Sequence, residues 1–96
     1  MSRDAGNAPT PYTVVTLPEA LRQWQRLPKP VQQHVTKRIQ LLSQNPRPQQ
    51  AKPLKGLKGL WRLRVGNYRI LYQIDDAARK VLILDMGNRK DIYRGL

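Results

Sequence analysis

Gly59 to Ile74, Gly-Leu-Trp-Arg-Leu-Arg-Val-Gly-Asn-Tyr-Arg-Ile-Leu-Tyr-Gln-Ile, constrains this chain more than any other stretch. Leu60 to Val65 reads as a strand. Its period-2 pleat sends Trp61, Leu63 and Val65 to one side and Leu60, Arg62 and Arg64 to the other. Gly66-Asn67 is a two-residue turn signal, because both residues tolerate the positive φ of tight hairpins. Tyr68 to Ile74, rich in aromatic and β-branched residues, supplies the second strand. With that loop, Val65 pairs with Tyr68, Arg64 with Arg69, Leu63 with Ile70 and Arg62 with Leu71. Arg64 then faces Arg69, with Arg62 on the same side. Like charges directly opposite each other destabilise a sheet. Selection for folding alone disfavours the pair, whereas a face that holds an anion needs it. The hairpin by itself admits both a solvated basic face and an anion-binding one.

The charge of the whole chain bears on that choice. Eighteen Lys+Arg against six Asp+Glu give a formal +12, with a pI near 11.0. Such a protein attracts polyanions: nucleic acid, the ribosome or an acidic protein partner. The basic residues spread over helices, loops and strands, unlike those of a membrane-binding amphipathic helix. No apolar run is long enough to span a bilayer, and the N-terminus lacks the apolar core of a signal peptide. A cytoplasmic location with no membrane partner is the expectation. With no cysteine, disulfides and thiolate metal sites are excluded. The acids are scattered, with Asp75-Asp76 in a turn, so no metal or other cofactor is expected.

In chain order, residues 1–11 read as a disordered tail, small and polar with two prolines. Tyr12 to Thr16 reads as a first strand. Thr16-Leu17-Pro18-Glu19 matches a capping box with Thr16 as the cap. Behind it Leu17, Ala20, Leu21, Trp24 and Leu27 recur at helical spacing until Pro28-Lys29-Pro30. A second helix starts near Pro30, carries the stripe Val31, Val35, Ile39 and Leu42, and stops at Asn45-Pro46-Arg47-Pro48. So short a break makes the two helices an antiparallel hairpin. His34, the sole histidine, reads as a surface or boundary residue beside that stripe. Pro48 to Lys58 shows no helix or strand pattern. Its basic residues read as a solvated connector or as phosphate contacts. After the β-hairpin come a turn over Asp75 to Lys80 and a continuous apolar run, Val81 to Leu84, expected as a central strand buried on both faces. Asp85-Met86-Gly87-Asn88 closes that strand. The expected class is α+β: an N-terminal strand, an antiparallel helical hairpin, then a three-stranded antiparallel meander. These form one mainly antiparallel four-stranded sheet with the helices on one face.

Most catalytic templates are missing. Ser2 and Ser43 lie in the tail and at a helix end, so no nucleophile–histidine arrangement suggests itself. No glycine-rich phosphate loop is present. What remains is a concentration of arginines on β-structure, with tyrosines. Arginine presents several donors in a fixed plane and suits phosphate oxygens. Such a set can bind RNA, and it can stabilise the charge of a phosphoryl-transfer transition state.

From about Tyr12 to Arg94 the sequence resembles the RelE superfamily of bacterial toxins from type II toxin–antitoxin systems. The resemblance is carried by Ala20-Leu21-Arg22-Gln23-Trp24 ending in Leu27-Pro28, by Asn45-Pro46-Arg47, and by Lys55-Gly56-Leu57. It continues through Trp61-Arg62-Leu63-Arg64, Gly66-Asn67-Tyr68-Arg69-Ile70-Leu71-Tyr72, and Gly87-Asn88-Arg89 followed by Asp91-Ile92-Tyr93. It implies a RelE-like toxin domain over residues 12–96. It also implies an mRNA interferase, a metal-independent endoribonuclease acting in the ribosomal A site. There the ribose 2′-hydroxyl attacks the adjacent phosphate and the 5′-oxygen of the next nucleotide leaves. The implied catalytic set is Arg62, Arg64, Arg69, Arg89 and Tyr93. Arg69 matches the arginine that stabilises the transition state, Arg89 a second functional arginine, and Tyr93 a tyrosine that stacks on or orients substrate. Arg62 and Arg64 stand where RelE carries lysines. An arginine keeps its proton, so the general base is left open between Tyr93 and the ribosome. Arg47, Lys52, Lys55, Lys58, Lys90 and Arg94 are the expected RNA- or ribosome-binding residues. A cognate antitoxin with an acidic or amphipathic binding segment is the implied protein partner, and operator DNA is contacted only through it. Two other readings stay open: a ParE-like poison of DNA gyrase, and a degenerate toxin that still binds antitoxin.

Overall fold

The hairpin forms with the expected register. β3 (Leu60–Val65) and β4 (Tyr68–Asp75) pair antiparallel with Val65 opposite Tyr68, Arg64 opposite Arg69, Leu63 opposite Ile70 and Arg62 opposite Leu71. Only Gly66 takes positive φ, at +60°; Asn67 does not. The turn is therefore of the kind that needs glycine at its first central position, not at both. The structure, a computed structural model, describes residues 11–88. The tail expected over residues 1–11 falls outside that range except for Pro11. So do Arg89, Lys90, Tyr93 and Arg94.

The class is α+β, as expected, but the sheet has five strands rather than four, in the order β1 (Thr13–Thr16), β5 (Lys80–Asn88), β4, β3, β2 (Ala51–Pro53). The added strand is β2 (Ala51–Pro53), inside the stretch expected to be a featureless connector. It pairs antiparallel with β3, Ala51 opposite Leu63 and Lys52 opposite Arg62. Three residues are too few to show a period, and Pro53 is tolerated because this is an edge strand. β1 (Thr13–Thr16) lies at the other edge, parallel to β5, so the sheet is mixed. The central strand is β4. β5 (Lys80–Asn88) lies between β1 and β4 and runs on through Asp85–Asn88 rather than closing there as expected. Its burial alternates, with Val81 and Ile83 fully buried and Leu82 and Leu84 partly so. It is not buried on both faces as expected.

A β-bulge governs what β5 presents. Tyr72 pairs with Ile83 but Leu71 pairs with Asp85, so Leu84 is an extra residue. Without it, Asp85 would follow Val81 and Ile83 into the core. With it, Met86 returns to the core at 3% exposure, Asp85 joins the opposite face, and Gly87 comes to lie beside Arg69.

The helices cover one face. α1 (Pro18–Gln25) and α2 (Lys29–Leu41) contribute Ala20 and Val35 to a buried cluster, joined by Leu42 just past α2 and by Leu63, Ile70, Tyr72, Val81 and Ile83 from the sheet. The α2 stripe is as expected. In α1, Leu21 departs from it, being 44% exposed. The capping box is also absent. Thr16 stays in β1 opposite Ile83, the N-cap is Leu17, and no side chain caps the helix. Pro18 at the first helical position has no N–H to satisfy, which lessens the need for a cap. The helices are clasped by Trp24, whose Nε1 donates to Thr36 Oγ1 (3.1 Å), and by Gln32, whose Nε2 donates to the Trp24 carbonyl (2.8 Å). Gln23 Oε1 accepts from the Met86 backbone N–H (2.8 Å), beyond the point where β1 stops pairing with β5.

The segment after α2 is tied down twice. Tyr72, fully buried on β4, donates its hydroxyl to the Pro46 carbonyl (2.7 Å), and burial pushes its phenol above the ordinary value. Arg47 donates through Nη1 (3.2 Å) and Nη2 (2.8 Å) to the two carboxylate oxygens of Asp76 in the β4–β5 turn, and its guanidinium lies 5.4 Å from the centre of the Trp61 ring. Tyr12 Oη also donates to Asp76. These bonds, Arg47's first, hold the Asp76 carboxyl down to about 2.

Two outcomes follow from these ties. Tyr72→Phe strands a buried carbonyl and costs about 1–2 kcal/mol, read in urea as a lower midpoint at unchanged slope. Asp76→Asn melts below wild type at neutral pH. The carboxyl's folded value lies below its unfolded value of about 4, so its contribution is complete above that and is lost as pH falls toward 2. Melting curves from pH 7 to pH 2 should show the gap closing; a constant gap would remove the ion pair as its source.

Candidate functional site

The face of the sheet away from the helices carries the candidate site. There the pleat and the register align Lys52 on β2, Arg62 and Arg64 on β3 and Arg69 on β4. A two-residue loop makes its flanking pair, Val65 and Tyr68, the hydrogen-bonded one. Arg64 and Arg69 are then a non-hydrogen-bonded pair, the type whose Cα atoms approach to about 4.5 Å. On the far side of Arg69 stands Gly87, and a Cβ built there would meet nothing within 4 Å. Arg69 is thus crowded by a like charge on one flank and open on the other.

These residues line one cleft of about 220 Å³, formed by Gln50, Lys52, Arg62, Arg64 and Arg69. That is room for roughly seven waters at ~30 Å³ each, enough for a phosphate group. The Nε and Nη1 atoms of Arg69 are buried and have no hydrogen-bond acceptor among the described residues. Each buried donor left unpaired costs about 1–3 kcal/mol, more for a charged group. An anion with several oxygens in the cleft would satisfy both, and the positive wall around it would favour its charge.

Four of the expected site residues, Lys52, Arg62, Arg64 and Arg69, are therefore together. Lys55 and Lys58 are exposed on the β2–β3 loop, at the opposite end of β3 from the Gly66 turn, and do not line the cleft. Arg47 is engaged with Asp76 over Trp61, whose side chain packs against the core cluster on the helix side. Arg89, Lys90, Tyr93 and Arg94 lie outside the described residues. Gln50 was not anticipated. The β2 register, with Ala51 opposite Leu63, extends to place Gln50 beside Arg64, but only once β2 is known to be a strand. No helix among the described residues is long and apolar enough to cross a membrane.

Comparison with known proteins agrees with this architecture. The family model described as the ParE toxin of the type II toxin–antitoxin system parDE matches residues 14–93. A putative RelE-like toxin protein from Escherichia coli is 33% identical over 86 residues, covering 85% of this chain and 90% of the relative. Toxin RelG of Mycobacterium tuberculosis is 40% identical over 86 residues, covering 88% of this chain and 98% of the relative. Among solved structures, the toxin–antitoxin complex RelBE2 from Mycobacterium tuberculosis contains a chain that superposes with a TM-score of 0.73 at 37% identity, over 82% of this chain and 99% of that one. With the sheet, the helical hairpin and the sequence all in agreement, the chain belongs to the RelE/ParE family and is a toxin of a type II toxin–antitoxin system.

Proposed function

We propose that this toxin is a ribosome-dependent endoribonuclease that cuts mRNA in the A site. The 2′-oxygen of a ribose bonds to the adjacent phosphorus, the bond to the 5′-oxygen of the next nucleotide breaks, and the 2′-proton passes to a base while the leaving oxygen gains one. The observation that carries the reading is the half-buried guanidinium of Arg69, whose buried Nε and Nη1 meet no acceptor among the described residues, in a cleft walled by Arg62, Arg64 and Lys52. Arg69 stabilises the charge that grows on the phosphoryl oxygens. Arg62 and Arg64 hold the phosphate and its neighbours, and Lys52 extends the basic path along the edge strand. Arg89 and Tyr93 take the roles that the family resemblance gives them. No metal or cofactor enters this chemistry. Lys55, Lys58, Lys90 and Arg94 meet ribosomal RNA, and Arg47 does so only if its pairing with Asp76 opens.

The cognate antitoxin presents an acidic or amphipathic segment, since a chain of +12 calls for complementary charge. It also carries the complex to operator DNA. The toxin acts in the cytoplasm. A second reading, a gyrase poison, is favoured by the ParE description of the matching family model.

The test is primer extension on a reporter mRNA after brief induction without antitoxin, comparing wild type with Arg69→Ala. Cuts within translated codons, absent from untranslated RNA and reduced ~100-fold or more in the variant, are expected, since one lost oxyanion donor costs about 10²–10³ in rate. Growth arrest with DNA-damage induction and no cuts would move the assignment to gyrase. Neither cuts nor arrest would mark a degenerate toxin. Antitoxin binding by Arg69→Ala should be largely retained.

A further inference from the structure

Among the described residues that line the basic cleft, Gln50 is the neutral one, and a neighbour bears on what it offers. Arg38, in the last turn of α2, donates from Nη2 to Gln50 Oε1 at 3.0 Å. A guanidinium has only donors, so the atom it meets must be the amide oxygen. With the oxygen turned to Arg38, the end of the amide that Gln50 can offer the cleft is its NH2, with two donors. We propose that Gln50 is a substrate-contacting residue that presents this NH2 to an RNA phosphate or ribose oxygen, and that Arg38 is a positioning residue acting through it. The inference rests on the RNA-cleaving reading above and adds two residues to it.

The arrangement has a physical logic. An amide free to turn would present its oxygen to the incoming phosphate about as readily as its nitrogen, and the oxygen would repel it. Arg38 removes that alternative from outside the cleft. The extended register sets Gln50 beside Arg64, so the amide adds hydrogen-bonding reach next to a guanidinium without a further positive charge. It is suited to an oxygen beside the phosphate held by the arginines, where a further cation would only add repulsion.

The experiment is a binding titration with the purified full chain and a labelled single-stranded RNA of about ten nucleotides, its 2′-hydroxyls methylated so that it is not cut, followed by fluorescence anisotropy at several salt concentrations. The proteins are wild type, Gln50→Leu, Arg38→Met, Arg38→Lys, the Gln50→Leu/Arg38→Met double variant and Arg69→Ala. Gln50 is exposed and Arg38 half-buried, and thermal melting checks that each variant keeps the fold. Gln50→Leu should weaken binding about tenfold, the scale of a hydrogen bond to a charged group. Arg38→Met should weaken it about threefold, Arg38→Lys should restore most of that, and the double variant should bind like Gln50→Leu alone. The salt slope should stay at the wild-type value in Arg38→Met, because Arg38 touches no phosphate, and should fall by about 0.7 in Arg69→Ala. Wild-type affinity in Gln50→Leu would overturn the contact. An Arg38→Met loss that adds fully to that of Gln50→Leu, or a reduced slope, would overturn the positioning role and make Arg38 a direct phosphate contact. If Arg69→Ala binds as wild type, or wild type does not bind the RNA, the RNA-cleaving reading falls and this inference with it.

Discussion

The register of the β3–β4 hairpin is the constraint on which the rest of this structure depends. A slip of one residue would turn every side chain of one strand to the other face. Leu63, Val65, Ile70 and Tyr72 are all buried on the helix side. At about 1.5–3 kcal/mol for each such side chain, leaving them in water would forfeit on the order of 10 kcal/mol, comparable to the whole stability of a small domain. The opposed arginines cost about 1 kcal/mol or less as a cross-strand pair. Core burial therefore decides the register, and Arg64 and Arg69 are held together because the hydrophobic face leaves them no other place. A site that needs concentrated positive charge is built most securely where a stronger term enforces it.

The bulge at Leu84 is a second device of the same kind. It leaves Val81 and Ile83 facing the helices, yet shifts the parity of everything after it. Asp85 is thereby kept out of the core, and Gly87 rather than Met86 becomes Arg69's neighbour. A methionine at that position would stand over the flank of Arg69 that glycine leaves bare. One inserted residue thus keeps a carboxylate out of the core and places a glycine, not a methionine, beside Arg69.

Much of this was legible in the sequence because it follows from short-range rules. The turn dipeptide, the alternation of β3 and the α2 stripe each point to one structure, and the grouping of Arg62, Arg64 and Arg69 follows from them. The features that were not legible depend on partners distant in sequence. β2 is a strand only because β3 offers it an edge, so Lys52 could be suspected but Gln50 could not. Thr16 has the chemistry of a cap but is claimed by the sheet through Ile83. Val81 to Leu84 looks like a strand that ends at Asp85, because nothing local announces a bulge. Arg47 resembles its basic neighbours until Asp76, 29 residues away, is seen to take both of its terminal nitrogens.

The make-up of the cleft bears on why an RNase of this kind would need the ribosome. On the proposed chemistry a proton must leave the 2′-hydroxyl and another must reach the leaving oxygen. The described lining consists of guanidiniums, an ammonium group and an amide whose oxygen accepts from Arg38. Guanidiniums hold charge and do not take protons. Charge stabilisation, worth about 10²–10³ per donor, is thus well supplied, while general base catalysis, worth about 10²–10⁴, is left to Tyr93 or to the ribosome. If the ribosome supplies it, the toxin alone would bind RNA and cut it poorly, and activity would appear where the A site presents both the strand and the missing acceptor. If the arginines at positions 62 and 64 replace lysines, as the family resemblance implies, they would move this chain further toward that division of labour.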